Sequence, residues 1–287
     1  MIRKIAFIGV TGMLGKPVAA EMLKAGITVR ALIRDPEKAK DSVPAGIEIV
    51  KGDLKNSADV DELMKGQDAV YVNLSVTQFE KKNDWHPETD GIKIVLASAK
   101  KNNLSRILTI SSLVQRYQGM NNFNWWIFAI KEQSIAMVKN SRIPYTIFFP
   151  STFMESFLGK YRQGKRILLA GKSKYPMYYI AGEDYGRQVV KSLQFDGNKE
   201  YVIQGPVAMT QEEASEIFVN NYRKEKLTIS KAPLGLLRFL GLFSTPINYG
   251  AHIVEAMNSY PEKFESTEAW EQLGKPTITL KEFSEKA

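Results

Sequence analysis

Several residue types that enzyme chemistry often uses are missing or scarce in this 287-residue sequence. It has no cysteine, which excludes disulfides, thiolate zinc sites, iron–sulfur clusters and thiol nucleophiles. Its two histidines, His86 and His252, lie far apart along the chain, so no catalytic metal site is expected. No G-x-S-x-G motif occurs, and two histidines leave little room for a Ser-His-Asp arrangement, so acyl transfer is not expected either.

Long apolar runs are absent as well. No run of about 18 uncharged apolar residues, the length that crosses a bilayer, is present. The nearest candidate, residues 233–243, is shorter and contains Arg238, which predicts a buried or groove-lining helix. The chain starts directly with a strand pattern, without the apolar region and cleavage site of a signal peptide. We therefore expect a cytoplasmic protein with no membrane span.

The composition is that of a folded protein of one or two domains, with 44% hydrophobic and 24% charged residues. Lysine and arginine total 39 against 31 acidic residues, a net charge of +8. Much of this excess lies between Glu155 and Glu183, a segment without acidic residues. Because the segment has no nucleic-acid recognition motif, we interpret it as a solvated face and expect no nucleic-acid partner.

The first 150 residues alternate between short apolar runs and helix-length segments. Strands are predicted at residues 5–8, 28–33, 47–50, 69–72, 106–110 and 145–149. Apolar strands separated by helices indicate a doubly wound parallel α/β sheet covered on both faces. After Phe149 the pattern fades, which predicts a smaller, mostly helical C-terminal lobe. The expected division is residues 1–152 for the sheet domain, with 183–204 returning to it, and 153–287 for the smaller lobe.

A glycine-rich turn joins the first predicted strand to the first helix. It has the form GxxGxxG, with Gly9, Gly12 and Gly15. In this position the first glycine permits a tight turn, the second lets the backbone approach a diphosphate, and the third lets helix and strand pack closely. A P-loop is excluded, because Pro17 stands where Ser or Thr would bind magnesium. The turn therefore predicts a dinucleotide site.

Charged residues after the next two strands indicate which nucleotide binds. An acidic residue at the end of the second strand would suit the ribose 2′-hydroxyl of NAD, whereas Arg34 suits the 2′-phosphate of NADP. Lys38 adds positive charge, and a register error of one residue would exchange the roles of Arg34 and Asp35. Asp53, after the third strand, suits an adenine amino group or a plain turn equally well. The predicted cofactor is NADP, with NAD possible.

Motifs along nearly the whole chain resemble the NmrA-like family of atypical short-chain dehydrogenases, which have a Rossmann fold. The motifs are the glycine turn, Arg34, Gly52-Asp53-Leu54, Ile110-Ser111-Ser112, Lys131, the segment from Phe149 to Glu155, and Leu273-Gly274-Lys275-Pro276. Members of the family include NADPH-binding redox sensors, quinone reductases and plant isoflavone reductases. The resemblance implies a diphosphate site at Gly9, Thr11, Gly12, Met13, Leu14 and Gly15, a 2′-phosphate site at Arg34, and an adenine site at Asp53 and Leu54. It further implies that Asn73, Leu74, Ser75, Lys131, Phe149 and Pro150 surround the ribose and nicotinamide.

The sequence departs from ordinary short-chain dehydrogenases at the proton donor. Those enzymes use Tyr-x-x-x-Lys, and here Ile127 stands four residues before Lys131. Either Lys131 or Ser111 assists directly, or another group such as Tyr117 or His86 reaches the site, or no chemistry occurs. Lys131 is the principal catalytic candidate, since some reductases of the family are thought to use the lysine itself.

Aromatic residues follow the fourth, fifth and sixth strands. They are Phe79, Trp85, Tyr117, Phe123, Trp125, Trp126, Phe153 and Phe157. Such residues either line an aromatic mouth for a flat apolar acceptor, such as a quinone, enone or aryl carbonyl, or attach the second lobe to the first. The predicted function is an NADP-dependent oxidoreductase acting on a small apolar substrate. The alternatives are an NADP(H)-binding redox sensor without turnover, or an assembly factor that uses the pocket as an anchor, and the oligomeric state stays open between monomer and dimer.

Overall fold

The computed structural model describes residues 2–287, except the side chain of Asp41. The strands are β1 Lys4–Ile8, β2 Thr28–Ile33, β3 Glu48–Lys51, β4 Ala69–Val72, β5 Arg106–Ile110, β6 Tyr145–Pro150, β7 Thr152–Phe153, β8 Arg162–Gln163, β9 Arg166–Ala170, β10 Met177–Ile180, β11 Lys199–Ile203, β12 Ala208–Met209 and β13 Thr228–Ala232. The helices are α1 Gly15–Lys24, α2 Pro36–Ala39, α3 Ser57–Met64, α4 Ile92–Lys101, α5 Trp126–Asn140, α6 Gly182–Ser192, α7 Gln211–Asn221, α8 Leu234–Gly241, α9 Thr245–Ser259, α10 Thr267–Leu273 and α11 Leu280–Lys286.

Seven parallel strands form the central sheet, in the order β11-β6-β5-β4-β1-β2-β3. Successive side chains of β1 show that both faces are buried. Ile5 and Phe7 belong to one apolar cluster, which includes side chains of α1 and α6, and Ala6 and Ile8 belong to a second, which includes side chains of α3 to α5. The predicted doubly wound α/β fold is therefore confirmed.

The strand order reverses between β1 and β4, where the chain crosses from one half of the sheet to the other. In open α/β sheets, ligands bind at the carboxyl ends of the strands beside such a switch point. The glycine turn after β1 and the segment after β4 therefore border the crevice where the sequence predicts a dinucleotide. Strand β11 extends the sheet by pairing with β6.

Beyond β6 the chain builds two small three-stranded sheets as well as helices. One has the order β12-β10-β7 and the other β13-β9-β8. The C-terminal region is thus helical as predicted, with these short strands added. The domain boundaries at residues 152 and 153 stay a prediction.

The prediction of a buried or groove-lining helix at residues 233–243 is wrong. Helix α8 forms there, but most of its apolar side chains are exposed, and so are Leu242 and Phe243 after it. An apolar run is buried only where another element covers it, and α8 is covered only on the side that faces α9, where Gly241 lies against Asn248. None of the helices in residues 2–287 is long and apolar enough to cross a bilayer.

Candidate nucleotide and reaction site

Two of the three glycines in the first turn are required by the protein's own packing. Gly9 has a φ of +88°, and a Cβ there would lie 2.1 Å from the carbonyl oxygen of Asn73. At Gly15 a Cβ would lie 2.0 Å from the carbonyl oxygen of Val10. The turn after β1 is thus held tightly against the end of β4, and the Asn73 side chain adds a hydrogen bond from Nδ2 to the Gly9 carbonyl oxygen, 3.1 Å.

Gly12 differs, because it faces solvent. A Cβ there would approach Gly9 O and Asn73 Nδ2 at 3.2 and 3.3 Å, which is close but not prohibitive. The backbone N–H groups of Thr11, Met13 and Leu14 donate no hydrogen bond within the described residues. Helix α1 begins here without a side-chain cap or an acidic residue in its first turn. Free N–H groups at a helix N-terminus suit a diphosphate.

Arg34 and Lys38, which follow β2, differ in their ion pairing. Arg34 is exposed and forms no ion pair with any described residue. Asp35 caps α2 by accepting from the Lys38 N–H, and its carboxylate also pairs with Lys38 Nζ at 3.1 Å. Asp35 and Lys38 therefore satisfy each other, and Arg34 remains the available cation at this edge.

Asp53 has the turn role that its sequence context allows. Its Oδ1 accepts a hydrogen bond from the Lys55 N–H at 3.0 Å, and its own N–H donates to Asp59 Oδ2 at 2.8 Å. Leu54 follows and packs beside Gly91, where a Cβ would lie 2.7 Å from Leu54 Cδ2. These contacts fix the segment after β3 in the same crevice wall as the turn that precedes α4.

A buried ion pair lies at the other end of the crevice. The Lys131 ammonium donates to Glu88 Oε1 at 2.7 Å, and the two side chains are 12% and 5% exposed. The second Glu88 oxygen accepts from the Val76 N–H at 2.7 Å, so both carboxylate oxygens have partners. One carboxylate thus connects α5 to the segment that follows β4.

The remaining predicted residues lie at the ends of β4, β5 and β6. The Ser111 hydroxyl donates to Gln115 Oε1 at 2.8 Å, so it is already engaged within the chain. Ser75 bonds the Val76 carbonyl oxygen at 3.3 Å, and Leu74 packs partly buried on the apolar cluster of α3 to α5. Phe149 and Pro150 are buried at the end of β6.

Three residues near Lys131 were missed by sequence reasoning. Glu88 is one, and the others are Lys160 and Tyr249. Lys160 is exposed, and desolvation by the surrounding protein and then the charge of Lys131 lower its pKa. Burial raises the pKa of Tyr249, and Lys131 acts in the opposite direction. No local pattern marks these residues, because each belongs to a different element from Lys131.

His86 and Tyr117 do not reach the reaction site as suggested. Tyr117 is buried against Phe123, and its hydroxyl accepts a hydrogen bond from Asn121. Both ring nitrogens of His86 face acceptors, Glu80 Oε2 at 3.0 Å and the Lys82 carbonyl oxygen at 3.1 Å. Burial lowers the pKa of His86, but these hydrogen bonds outweigh burial and raise it overall. Acceptors at both ring nitrogens thus favour the imidazolium form, and the two hydrogen bonds fix the loop after β4.

Most of the aromatic residues expected at the mouth are core residues instead. Five of the eight are buried: Tyr117, Phe123, Trp125, Phe153 and Phe157. Trp125 stacks on His252 at 5.4 Å and meets Tyr249 edge to face at 5.2 Å, both on α9. These contacts join the C-terminal region to α5, as the alternative interpretation expected.

Comparisons with known proteins also indicate a nucleotide-binding chain. A family model described as NAD(P)H-binding matches residues 9–196. A photosystem II assembly factor, Ycf39 of Trieres chinensis, is 24% identical over 265 residues, covering 88% of this chain and 79% of that protein. A (4-alkanoyl-5-oxo-2,5-dihydrofuran-3-yl)methyl phosphate reductase of Streptomyces griseus is 27% identical over 242 residues, 81% of this chain and 80% of that protein. The NADPH complex of an Escherichia coli quinone oxidoreductase superposes with a TM-score of 0.71 at 18% identity, covering 98% of this chain and 99% of that one.

Proposed function

The chain belongs to the NAD(P)H-binding family, and from that premise we propose that it is an NADPH-dependent reductase of small apolar acceptors. The predicted family resemblance and the NAD(P)H class of cofactor are confirmed. The choice of NADPH over NADH, the acceptor class and the residue roles belong to the proposal, and the cellular compartment stays a prediction.

The backbone after β1 holds the diphosphate in this proposal. The free N–H groups of Thr11, Met13 and Leu14 point to the anion, and Gly12 leaves room for its approach. Arg34 pairs with the 2′-phosphate, because it is exposed and unpaired where NAD sites carry an acid. Lys38 contributes only longer-range charge, since Asp35 already pairs with it.

The observation that carries the reductase function is the buried pair of Lys131 and Glu88. Bound NADPH supplies the hydride, and an acceptor such as a quinone, enone or aryl carbonyl gains negative charge on oxygen as it is reduced. The Lys131 ammonium donates a hydrogen bond or a proton to that oxygen, and solvent replaces the proton. Glu88 is a positioning residue, because it fixes the ammonium without touching the acceptor.

Exchange of Lys131 tests this assignment. Lys131→Met is expected to reduce turnover of quinones and aryl carbonyls at saturating NADPH about a hundredfold, because the group that meets the developing charge is removed. Lys139→Met is the matched control, since Lys139 lies on the same helix in a half-exposed pair with Glu200. Turnover that survives Lys131→Met unchanged would remove the proposed role.

Exchange of Glu88 tests the positioning role separately. In Glu88→Gln one amide oxygen remains, and it can serve the Val76 N–H or Lys131 but not both. We expect kcat to fall about tenfold with NADPH affinity retained, because the Lys131 ammonium is held less firmly while the nucleotide contacts stay. A loss of NADPH binding equal to the loss of kcat would contradict it.

One observation favours a second candidate, an NADP(H)-binding regulator without turnover. Ile127 stands buried where short-chain dehydrogenases carry their tyrosine, and Glu88 already neutralises Lys131. The assembly role named for the Trieres chinensis relative is a third possibility of the same non-catalytic kind. Tight NADPH binding without NADPH consumption over a panel of quinones, enones and aryl carbonyls would favour these candidates over the reductase.

A further inference from the structure

An apolar surface without a covering element lies on the C-terminal region. It consists of exposed residues of α8 and the segment that follows it, which we call the α8 surface: Leu236, Phe239, Leu240, Leu242, Phe243 and Ile247. Leu242 and Phe243 remain 74% and 79% exposed. Continuous apolar patches of this kind on a folded chain mark docking sites.

The inner side of α8 packs against α9. Gly241 packs against the backbone of Asn248, and Arg238 forms an ion pair with Glu255 of α9 at 2.6 Å. The helix is thus anchored in one orientation. Its apolar side chains point outward because the inner contacts are already made.

Two chain segments at the α8 surface carry basic residues only, and the acidic groups that pair with them, such as Glu225 and Glu255, come from outside these segments. Residues 156–182 and 226–254 contain no aspartate or glutamate. Their basic residues are Lys160, Arg162, Lys165, Arg166, Lys172, Lys174, Lys226, Lys231 and Arg238. Both segments would be dispersed in an extended chain, so their relative position in the fold decides whether they form one basic surface.

The fold places these two segments side by side. Strand β9 of the first pairs in parallel with β13 of the second, from Arg166 opposite Thr228 to Ala170 opposite Ala232. Directly after this pairing, a Cβ at Gly171 would lie 3.4 Å from Leu234 Cβ at the start of α8. Exposed Lys172 therefore lies beside the first turn of α8, and Lys231 precedes it on β13.

Several of these cations have no acidic partner. Arg162 and Lys165 share Glu225, and Arg238 has Glu255. Five others form no ion pair with any residue that the structure describes: Arg166, Lys172, Lys174, Lys226 and Lys231. Lys231 faces Glu212, and the other four cations leave the apolar surface flanked by positive charge without an acidic partner.

We propose that the α8 surface docks on a lipid bilayer that carries anionic headgroups. The leucines and phenylalanines enter the boundary between headgroups and acyl chains, and the unpaired lysines contact lipid phosphates. A second copy of the chain is the weaker occupant, because a two-fold contact would bring two surfaces of the same positive charge together. The proposal needs no membrane-spanning helix and does not depend on the proposed reductase activity.

Flotation of the purified full chain with vesicles tests the proposal. We expect binding to vesicles with 30% phosphatidylglycerol in phosphatidylcholine, roughly the anionic content that recruits basic segments. Binding to pure phosphatidylcholine vesicles should be much weaker, and added salt should reduce binding to the anionic vesicles. Absence of binding to anionic vesicles at low salt would overturn the proposal.

Matched variants identify the surface involved. Leu242→Asp with Phe243→Asp should reduce partitioning about a hundredfold, because two charges enter the apolar face. Lys172→Gln with Lys231→Gln should reduce it about thirtyfold, at roughly 1 kcal/mol for each lysine. Ile49→Asp is the control and should leave partitioning unchanged. Ile49 is exposed too, but it lies on the edge strand β3 of the central sheet, whereas α8 follows β13 of a different sheet. NADPH binding and far-UV circular dichroism report that each variant is folded.

Two further outcomes would assign the surface to another occupant. A dimer in sedimentation velocity that Leu242→Asp with Phe243→Asp converts to monomer, without vesicle binding by the wild type, would overturn the proposal in favour of a second copy. Vesicle binding that the α8 variants leave intact would place the membrane contact elsewhere and overturn it as well.

Discussion

In the proposed function, the two ends of the crevice bind their ligands by different means. At the nucleotide end most of the contacts would come from the backbone, through the glycines and the free N–H groups of the turn after β1. At the reaction end one buried ion pair, Lys131 with Glu88, depends on side chains from two different elements. A site formed by backbone groups can be identified from one short stretch of sequence. A site formed by side chains of distant elements depends on how those elements pack.

The largest effect that would break this comparison comes from Gly12. Gly12→Val places a branched side chain between the turn and an approaching diphosphate, and we expect nucleotide affinity to fall about a thousandfold or more with the fold retained. Calorimetric titration with NADPH measures it. Gly250→Ala, which has open space around it on α9, is the control. An unchanged affinity would mean that the turn only connects β1 to α1.

Arg34 gives the next largest effect and tests the one side chain that the nucleotide end needs. Arg34→Ala should weaken NADPH binding about thirtyfold, the worth of charge-assisted hydrogen bonds of roughly 2 kcal/mol, while NADH binding changes little. Titration with both nucleotides gives the ratio. Lys38→Ala is the comparison, since Lys38 is paired with Asp35 and should matter less. Equal losses for both nucleotides would contradict the 2′-phosphate assignment.

Partly buried Glu155 holds the start of α6 and should cost stability at high pH. It accepts from the Gly182 N–H at 2.7 Å, and burial raises its pKa to about 7. A carboxyl whose pKa is raised on folding favours the folded state fully below its unfolded pKa, near 4.5, and loses that contribution as pH rises through 7. Glu155→Gln should therefore raise the melting temperature by a few degrees at pH 8 relative to wild type and not at pH 4.5.

Thermal melts across this pH range measure the Glu155 effect. Glu216→Gln is the control, because Glu216 is exposed on α7 and is not among the charges that act on Glu155. Buried Glu262 titrates in the same range but is common to both proteins, so the difference between wild type and variant isolates Glu155. A difference that does not depend on pH would contradict the prediction.

His86 gives the smallest effect and tests the reaction end. Its raised pKa means that its hydrogen bonds to Glu80 and Lys82 stabilise the fold fully below pH 6.5 and lose that contribution as pH rises through the folded pKa. Wild type should therefore exceed His86→Gln in melting temperature more at pH 5.5 than at pH 9, with Asp84 and Asp90 the other charges that face the ring. A gap that widens toward pH 9 would contradict the imidazolium assignment.

The parts of the fold that the sequence predicts are those set by local patterns. Strands β1 to β6 appear where the apolar runs predict them, because each run is bounded by turn residues and followed by a helix-length segment. The glycine turn falls in its predicted position for the same reason. Strands of two residues such as β7 and β12 carry no such signal, since they exist only through pairing with β10.

The candidate site divides in the same way. Lys131 is identifiable through a family motif, but its partner Glu88 lies 43 residues away and has no motif of its own. Tyr249 meets Trp125 only because α9 packs on the end of α5. The exposure of α8 likewise depends on the absence of a covering element, which the helix's own residues do not encode.

The two hydrogen bonds that Glu88 accepts connect the position of the loop after β4 to the position of Lys131. Because one carboxylate holds both the Val76 N–H and the Lys131 ammonium, a displacement of this loop shifts the ammonium with it. The hydrogen bonds of His86 with Glu80 and with the Lys82 carbonyl oxygen fix the far end of the same loop. A displacement of the residues between these two anchors would therefore move the Lys131 ammonium as well.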